Sequence, residues 1–263
     1  MSLISELYFK MTEQKPVKGY NSDIEKVKEL DSVGVPWADF GTRRRYSQEN
    51  HERVVGLFAA TSKTFMGTSN VHLARRHGLK LMGTQAHEWY MLIAAKYGFK
   101  YANEMALEQW VEVFQGNLGI ALSDTYTTDN FFKAFGAKYA KLFDGVRHDS
   151  GDPLKFTDKV VAHYEKLGID PMTKTIVFSD GLTPGSVLAI SSYAKRRIKC
   201  SFGIGTNLTN DVGVTPLNMV IKMVAADPNG DGEWTPTVKL SDVSGKHTGD
   251  PKMIELCKGI LGV

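Results

Sequence analysis

Cysteine is nearly absent from this sequence: Cys200 and Cys257 are the two present, with no Cys-x-x-Cys spacing and no histidine grouping beside them. That argues against a disulfide framework or a zinc site and fits a reducing, cytoplasmic setting. Long apolar runs are also lacking. None approaches the roughly 18 residues of a membrane span, and the N-terminus has no basic and apolar leader sequence, so a soluble chain with no membrane partner is expected. Nor is there much charge of one sign. Lysine and arginine number 32 against 29 acidic residues, a balance of +3, too small to imply nucleic acid but compatible with a locally basic, anion-binding cleft. Internal repeats and low-complexity tracts are missing as well.

What is present is enough for a large core: 263 residues, 42% of them hydrophobic. Short apolar or small-residue runs recur, each ending in a polar, glycine-containing turn and each followed by a stretch of helical periodicity. The expected strands are Val35 to Phe40, Thr64 to Gly67, Lys80 to Gly83, Leu118 to Ser123, Phe143 to Arg147, Thr175 to Ser179, Lys199 to Gly203 and Met219 to Val224. Helices are expected over Gln48 to Ala60, His87 to Tyr97, Asn130 to Leu142, Pro153 to Leu167 and Pro184 to Arg197, several opening beside Asp, Ser, Thr or Pro as helix entry requires. Eight βα-type runs suggest an α/β barrel of parallel strands, whose strand-end loops gather on one face. The ends of the chain, Met1 to Asp31 and Asp227 to Val263, fit that rhythm poorly.

The strand exits carry the polar residues. They read Asp39-Phe40-Gly41-Thr42-Arg43-Arg44-Arg45, Gly67-Thr68-Ser69-Asn70, Gly83-Thr84-Gln85-Ala86-His87-Glu88, Ser123-Asp124-Thr125-Tyr126, Arg147-His148-Asp149-Ser150-Gly151-Asp152, Ser179-Asp180-Gly181 and Gly203-Ile204-Gly205-Thr206-Asn207. Glycine permits close approach to the main chain, and free amides in turns or at helix starts suit phosphate. A phosphorylated substrate follows as an expectation. A structural barrel has no need of Asp124, Asp149, Asp152 and Asp180 at its mouth, whereas magnesium bound to a pyrophosphate would use such oxygens. His87, where a strand ends and an apolar helix begins, is the candidate catalytic side chain; His148, between Arg147 and Asp149, is read as orienting its neighbours. The clusters Arg75-Arg76 and Lys195 to Arg197 are read as solvated helix ends.

Taken together in order and spacing, these motifs resemble the nicotinate phosphoribosyltransferases from about Ile4 to the C-terminus, including Val238-Lys239-Leu240-Ser241-Asp242. The resemblance implies an irregular TIM-like (β/α) barrel of the type II phosphoribosyltransferases over 33–225, with 1–32 and 226–263 as remnants of a second, sandwich-like α/β domain. It further implies a preceding N-terminal segment that supplies site residues across a homodimer interface. The implied activity is ATP-coupled transfer of phosphoribosyl from phosphoribosyl pyrophosphate to nicotinate, with Mg2+ and with His87 as a transient phosphohistidine. By the same resemblance Phe40 and Arg43 meet the nicotinate ring, Arg45 is a second candidate for its carboxylate, and Ser69 and Asn70 place the base or ribose. Arg147 and Asp149 face the ribose and pyrophosphate, Asp124 orients His87 or the metal, and Asp180, Gly181, Gly205 and Thr206 hold the 5′-phosphate. Ser69 stands where the related nicotinamide enzymes carry an acidic residue, which favours the acid over the amide. Alternatives are a nicotinamide or quinolinate phosphoribosyltransferase, or a non-catalytic phosphate-binding barrel.

Overall fold

The computed structural model describes residues 1–243 and 245–263. From the N-terminus the chain forms α1 (Ser2–Met11), α2 (Tyr20–Val33), β1 (Trp37–Asp39), α3 (Gln48–Thr61), β2 (Phe65–Thr68), α4 (Val71–His77) and β3 (Lys80–Leu81). It continues through α5 (His87–Tyr97), α6 (Ala102–Phe114), β4 (Ile120–Leu122), α7 (Thr128–Ala134), α8 (Ala137–Leu142), β5 (Gly145–His148), α9 (Pro153–Lys166) and β6 (Thr175–Phe178). Then come α10 (Pro184–Ala194), β7 (Lys199–Ile204), α11 (Thr206–Thr209), β8 (Ala225–Ala226), β9 (Thr235–Pro236) and α12 (Pro251–Leu261). Two compact units result. One comprises Met1–Gly83, Val177–Lys195 and Cys200–Ile221, the other Thr84–Ile176, Arg196–Lys199 and Lys222–Val263.

In the first unit the strand order is β3-β2-β1-β7, with the end of β6 beside β7. The pairings are parallel: Asp39 lies opposite Thr68 in β2 and opposite Ile204 in β7. β1 is buried along its whole length, as a strand flanked on both edges and covered by helices must be. Trp37 anchors it, with its ring 5.1 Å from Phe58 of α3 and 4.8 Å from Phe65 of β2, and Phe178 stacks on Phe202 at 5.6 Å. Gly203 is glycine for a packing reason: a Cβ there would fall 2.6 Å from the Phe40 ring. The ring therefore lies flat against β7. Gly203→Ala is expected to push Phe40 aside at a cost of about 1–3 kcal/mol, read as a lower melting temperature together with weaker binding of any ligand that uses that ring.

In the second unit β4 pairs in parallel with β5, and the start of β6 lies next to β5, where the Thr175 amide donates to the Asp144 carbonyl at 3.0 Å. One core cluster gathers Tyr90 and Ile93 of α5, Ala106 of α6, Val238 and Leu240, and Cys257 and Leu261 of α12. The segment from Val238 to Leu240 thus packs directly behind the residues that open α5. Leu240 also takes the Thr125 carbonyl through its amide at 2.8 Å, tying that segment to the turn after β4.

Seven of the eight expected strands form within a residue or two of their expected places. Residues 219–224 do not: Val220, Ile221 and Val224 are exposed, and the segment carries no strand pairing among the described residues. Its β-branched run has strand propensity but no apolar face to cover, and propensity without burial does not make a strand. The helix expected over Asn130 to Leu142 is two, α7 and α8, broken at Gly136, whose extended backbone caps α8. α10 ends at Ala194 rather than Arg197, because Arg196 adopts a left-handed backbone with φ 63°.

Candidate active site

Each compact unit carries one group of the residues singled out by sequence. In the second unit, β5 runs out through Arg147, His148 and Asp149. Alternation along a strand puts Arg147 and Asp149 on one face and His148 on the other, where His148 is buried with its ring edge-on to Phe156 at 5.0 Å. Arg147 and Asp149 are paired at 2.6 Å. The Arg147 guanidinium also donates to Thr84 Oγ1 at 2.7 Å and to the Gln85 carbonyl at 3.3 Å, so it is fixed by the turn that leads into α5.

His87 opens α5 and is 6% exposed. Both ring nitrogens are engaged: Nε2 pairs with Asp149 Oδ2 at 2.9 Å and Nδ1 with Thr125 Oγ1 at 3.0 Å. Asp124 Oδ1 lies 3.7 Å from Nδ1 and is buried without a hydrogen-bond partner among the described residues. The other oxygen of Asp124 accepts from Ser150 Oγ at 2.6 Å and sits 3.7 Å from Lys239 Nζ. Burial opposes the charge on Asp149, but the Arg147 guanidinium and then the contacts from His87 overcome it and hold this carboxyl well below the usual carboxylate range. A carboxylate that stays ionised beside an imidazole fixes the ring's orientation.

Ligand atoms of His87, Asp124 and Asp149 lie within 4.8 Å of one another. Asp149 already serves Arg147 and His87, whereas Asp124 keeps one oxygen without a partner. Two carboxylates fit a magnesium ion that completes its shell with water and substrate phosphate oxygens; the imidazole does not suit it. Beside the site, Glu88 is held by Lys222 at 3.0 Å, and its ionised form is favoured against burial by its own backbone amide, Lys222 and His87. Asp242 accepts from the Thr128 amide at 2.7 Å and the Thr128 hydroxyl at 2.5 Å; burial pushes its carboxyl up against those donors, with Asp124 adding to the rise.

The first unit carries the other group. Phe40 follows β1 and lies on Gly203, and Arg43 is exposed in the single 3-10 turn Thr42–Arg44. Ser69 and Asn70 follow β2; Asn70 caps α4 by accepting from the Leu73 amide at 3.1 Å and reaches Thr42 Oγ1 at 3.2 Å. The turns after β1 and β2 are therefore joined. The Arg45 guanidinium pairs through Nε with Glu6 of α1 at 2.6 Å. Gly181 takes a left-handed backbone, φ 59°, which only glycine adopts freely. Gly205 precedes the four-residue α11, which begins at Thr206. Burial and neighbouring Arg43 lower the Arg44 pKa, and Asp180 opposes them, which places Asp180 in the field of that arginine.

Sequence reasoning assigned no role to Thr125, Ser150, Lys239, Asp242 or His51. The first two stand in motifs already noted, one residue beyond Asp124 and Asp149, so adjacency was the signal available. Lys239 and Asp242 arrive from a segment about ninety positions away from Ser150, Asp242 being 92 residues on. His51 reads as an ordinary residue of the first turn of α3.

Comparison with known proteins bears on the chain as a whole. The sequence model of the nicotinate phosphoribosyltransferase (NAPRTase) family matches residues 35–262. A nicotinate phosphoribosyltransferase of Chromohalobacter salexigens is 55% identical over 100% of this chain and 68% of its own length. One from Desulforapulum autotrophicum is 50% identical over 99% of the chain and 68% of itself. A crystal structure of the Porphyromonas gingivalis enzyme superposes with a TM-score of 0.96 at 45% identity, covering 100% of this chain and 69% of that one. The expected fold class is thereby confirmed: the chain has the α/β fold of the nicotinate phosphoribosyltransferase structures. Among the described residues no helix is long and apolar enough to cross a membrane. The chain belongs to the nicotinate phosphoribosyltransferase family, a family of enzymes of NAD biosynthesis.

Proposed function

We propose that this chain transfers phosphoribosyl from phosphoribosyl pyrophosphate to nicotinate, coupled to ATP through a phosphohistidine at His87. The observation that carries the reading is the seating of His87, a nearly buried imidazole held at both nitrogens by Asp149 and Thr125, with Asp124 alongside. In the coupling half, a ring nitrogen bonds to the γ-phosphorus of ATP, ADP departs with the electron pair, and water later releases phosphate. Asp149 and Asp124 keep the ring aimed and take up the positive charge it gains. In the transfer half, the pyridine nitrogen bonds to the anomeric carbon while the bond to pyrophosphate breaks and pyrophosphate leaves with the electron pair. The leaving group gains charge, so cationic groups fixed in advance are what the step needs.

Arg147, immobilised by Thr84, Gln85 and Asp149, supplies one such group. Asp124 and Asp149 would hold Mg2+, which neutralises charge on the pyrophosphate when bound. Phe40 stacks on the pyridine ring and Arg43 meets its carboxylate, while Ser69 and Asn70 place base or ribose and offer no acid to repel the carboxylate. Asp180, Gly181, Gly205 and Thr206 hold the 5′-phosphate. Arg45, whose Nε pairs with Glu6, remains the second candidate for that carboxylate. A homodimer in a cytoplasmic setting belongs to the same reading, the latter supported by two buried free thiols.

The test is a nucleotide-forming assay on purified chain with phosphoribosyl pyrophosphate, with and without ATP and Mg2+, in which nicotinate competes with nicotinamide and quinolinate. Nicotinate mononucleotide is expected as the main product, with formation stimulated by ATP. Equal use of the amide, or no product from nicotinate, overturns the reading.

A further inference from the structure

We propose that Asp39, backed by His51, is the positioning group that holds the two base-binding turns of the first unit in register and so sets the affinity for nicotinate. The inference rests on the assignment of Phe40, Arg43, Ser69 and Asn70 to the nicotinate base.

Asp39 ends β1 and its side chain is fully buried. One oxygen, Oδ1, accepts from the Gly41 amide at 2.7 Å and so fixes the turn that carries Phe40 and Arg43. The other, Oδ2, accepts from Thr68 Oγ1 at 2.6 Å, and the Asp39 carbonyl accepts from the Ser69 amide at 2.8 Å. Thr68 Oγ1 accepts in turn from the Asn70 amide at 3.0 Å. A single residue thus ties down the backbone on both sides of the base site. The third donor to the carboxylate is His51 Nε2 at 2.7 Å, from the first turn of α3.

A buried carboxylate persists only where donors replace the water it lost. Of the three donors here, two are the turns themselves, and His51 supplies the rest. The ring has no other polar role: His51 is fully buried, and its Nδ1 has no hydrogen-bond partner among the described residues. Such an imidazole exists for the carboxylate it faces. The turn also has little slack, since a Cβ on Gly41 would fall 2.3 Å from Thr209 Cγ2 and 2.8 Å from the Gly205 carbonyl oxygen. Loosening the Asp39 contact lets Phe40 and Arg43 move together relative to Ser69 and Asn70, and small misplacements of binding groups are costly.

The test measures nicotinate and phosphoribosyl pyrophosphate dissociation constants by calorimetry, with melting temperatures, for Asp39→Asn, His51→Ala, His51→Gln and Thr68→Val. Asp39→Asn and His51→Ala are expected to weaken nicotinate at least tenfold while phosphoribosyl pyrophosphate changes less than twofold. His51→Gln, whose amide can donate to the same oxygen, is expected to recover most of the loss. If Asp39→Asn does not fold, the two His51 variants and Thr68→Val decide alone. A purely structural role predicts that both ligands weaken in step with the melting temperature and that His51→Gln rescues only stability; that outcome overturns the proposal. Arg43→Ala and Phe40→Ala separate the two readings. Should they leave nicotinate binding untouched, or should the parent chain not bind nicotinate, the base-site assignment falls and this inference with it. Should they weaken it while the Asp39, His51 and Thr68 variants do not, the inference falls alone.

Discussion

His87→Ala is expected to abolish label transfer from γ-phosphate-labelled ATP to the protein and to reduce ATP-dependent nucleotide formation on the order of 10²–10⁴-fold. The argument is geometric before it is chemical. His87 is the histidine of the second unit that faces two carboxylates, and its ring is held from both sides, so its orientation does not have to be found during each turnover. Removing the ring leaves Asp149 with Arg147, a pairing that survives, and leaves Asp124 with Ser150 and Lys239. No charge is stranded, so the fold should tolerate the change at a cost of about 1–3 kcal/mol for the lost hydrogen bonds. The loss is therefore catalytic, and the melting temperature is the control. Residual ATP-independent transfer is expected to remain, because the groups assigned to the base and the 5′-phosphate belong to the other unit. Undiminished labelling of His87→Ala, or ATP stimulation equal to that of the parent chain, ends the phosphohistidine assignment.

Most of the second unit's group was legible because strand-end position does two things at once. It exposes side chains beyond the last ladder hydrogen bond, and it demands the glycine and small polar residues that make exits recognisable. His87, Asp124, Arg147 and Asp149 were found that way, and they do meet. What the linear pattern hid was the second partner of each. Nδ1 of His87 meets Thr125 at hydrogen-bond distance while Asp124 stands off at 3.7 Å, a distinction set by a single residue's rotation about the turn after β4. Lys239 and Asp242 reach the site through long-range packing of Val238 and Leu240 into the core of α5 and α6. Periodicity cannot report that.

In the first unit the failures have other causes. The arginine run did not reveal the partner of Arg45, because Glu6 of α1 lies in a stretch whose helix was not anticipated. The Met219 to Val224 run had the composition of a strand without an edge to join. His51 gave no sequence signal because its partner Asp39 sits on a strand, and buried polar pairs between elements leave no periodic trace.

Asp149→Asn is expected to be the second most damaging change, with ATP-dependent turnover falling on the order of 10²–10⁴-fold and, unlike His87→Ala, with a loss of stability as well. The carboxylate answers two hydrogen-bond donors of different kinds, Arg147 at 2.6 Å and His87 at 2.9 Å. An asparagine amide satisfies at most one of them as an acceptor and presents N–H groups to the other, so Arg147 is left with its charge and most of its burial. Breaking one half of a largely buried pair costs about 3–5 kcal/mol, read here as a lower melting temperature at neutral pH. The sign with pH follows from the direction of the shift. Because Arg147 holds the Asp149 carboxyl well below its ordinary value, the stabilisation is fully present above the usual carboxylate range and is lost progressively as pH falls from that range through the depressed folded value. The parent chain is thus expected to keep this contribution from pH 7 down to about pH 5. The deficit of Asp149→Asn, measured by chemical denaturation, should be constant over that window. A deficit that fails to shrink as the pH is lowered further, from about pH 5 to about pH 3, would mean that Asp149 titrates as an ordinary surface carboxyl, and the paired geometry that seats His87 would then be wrong.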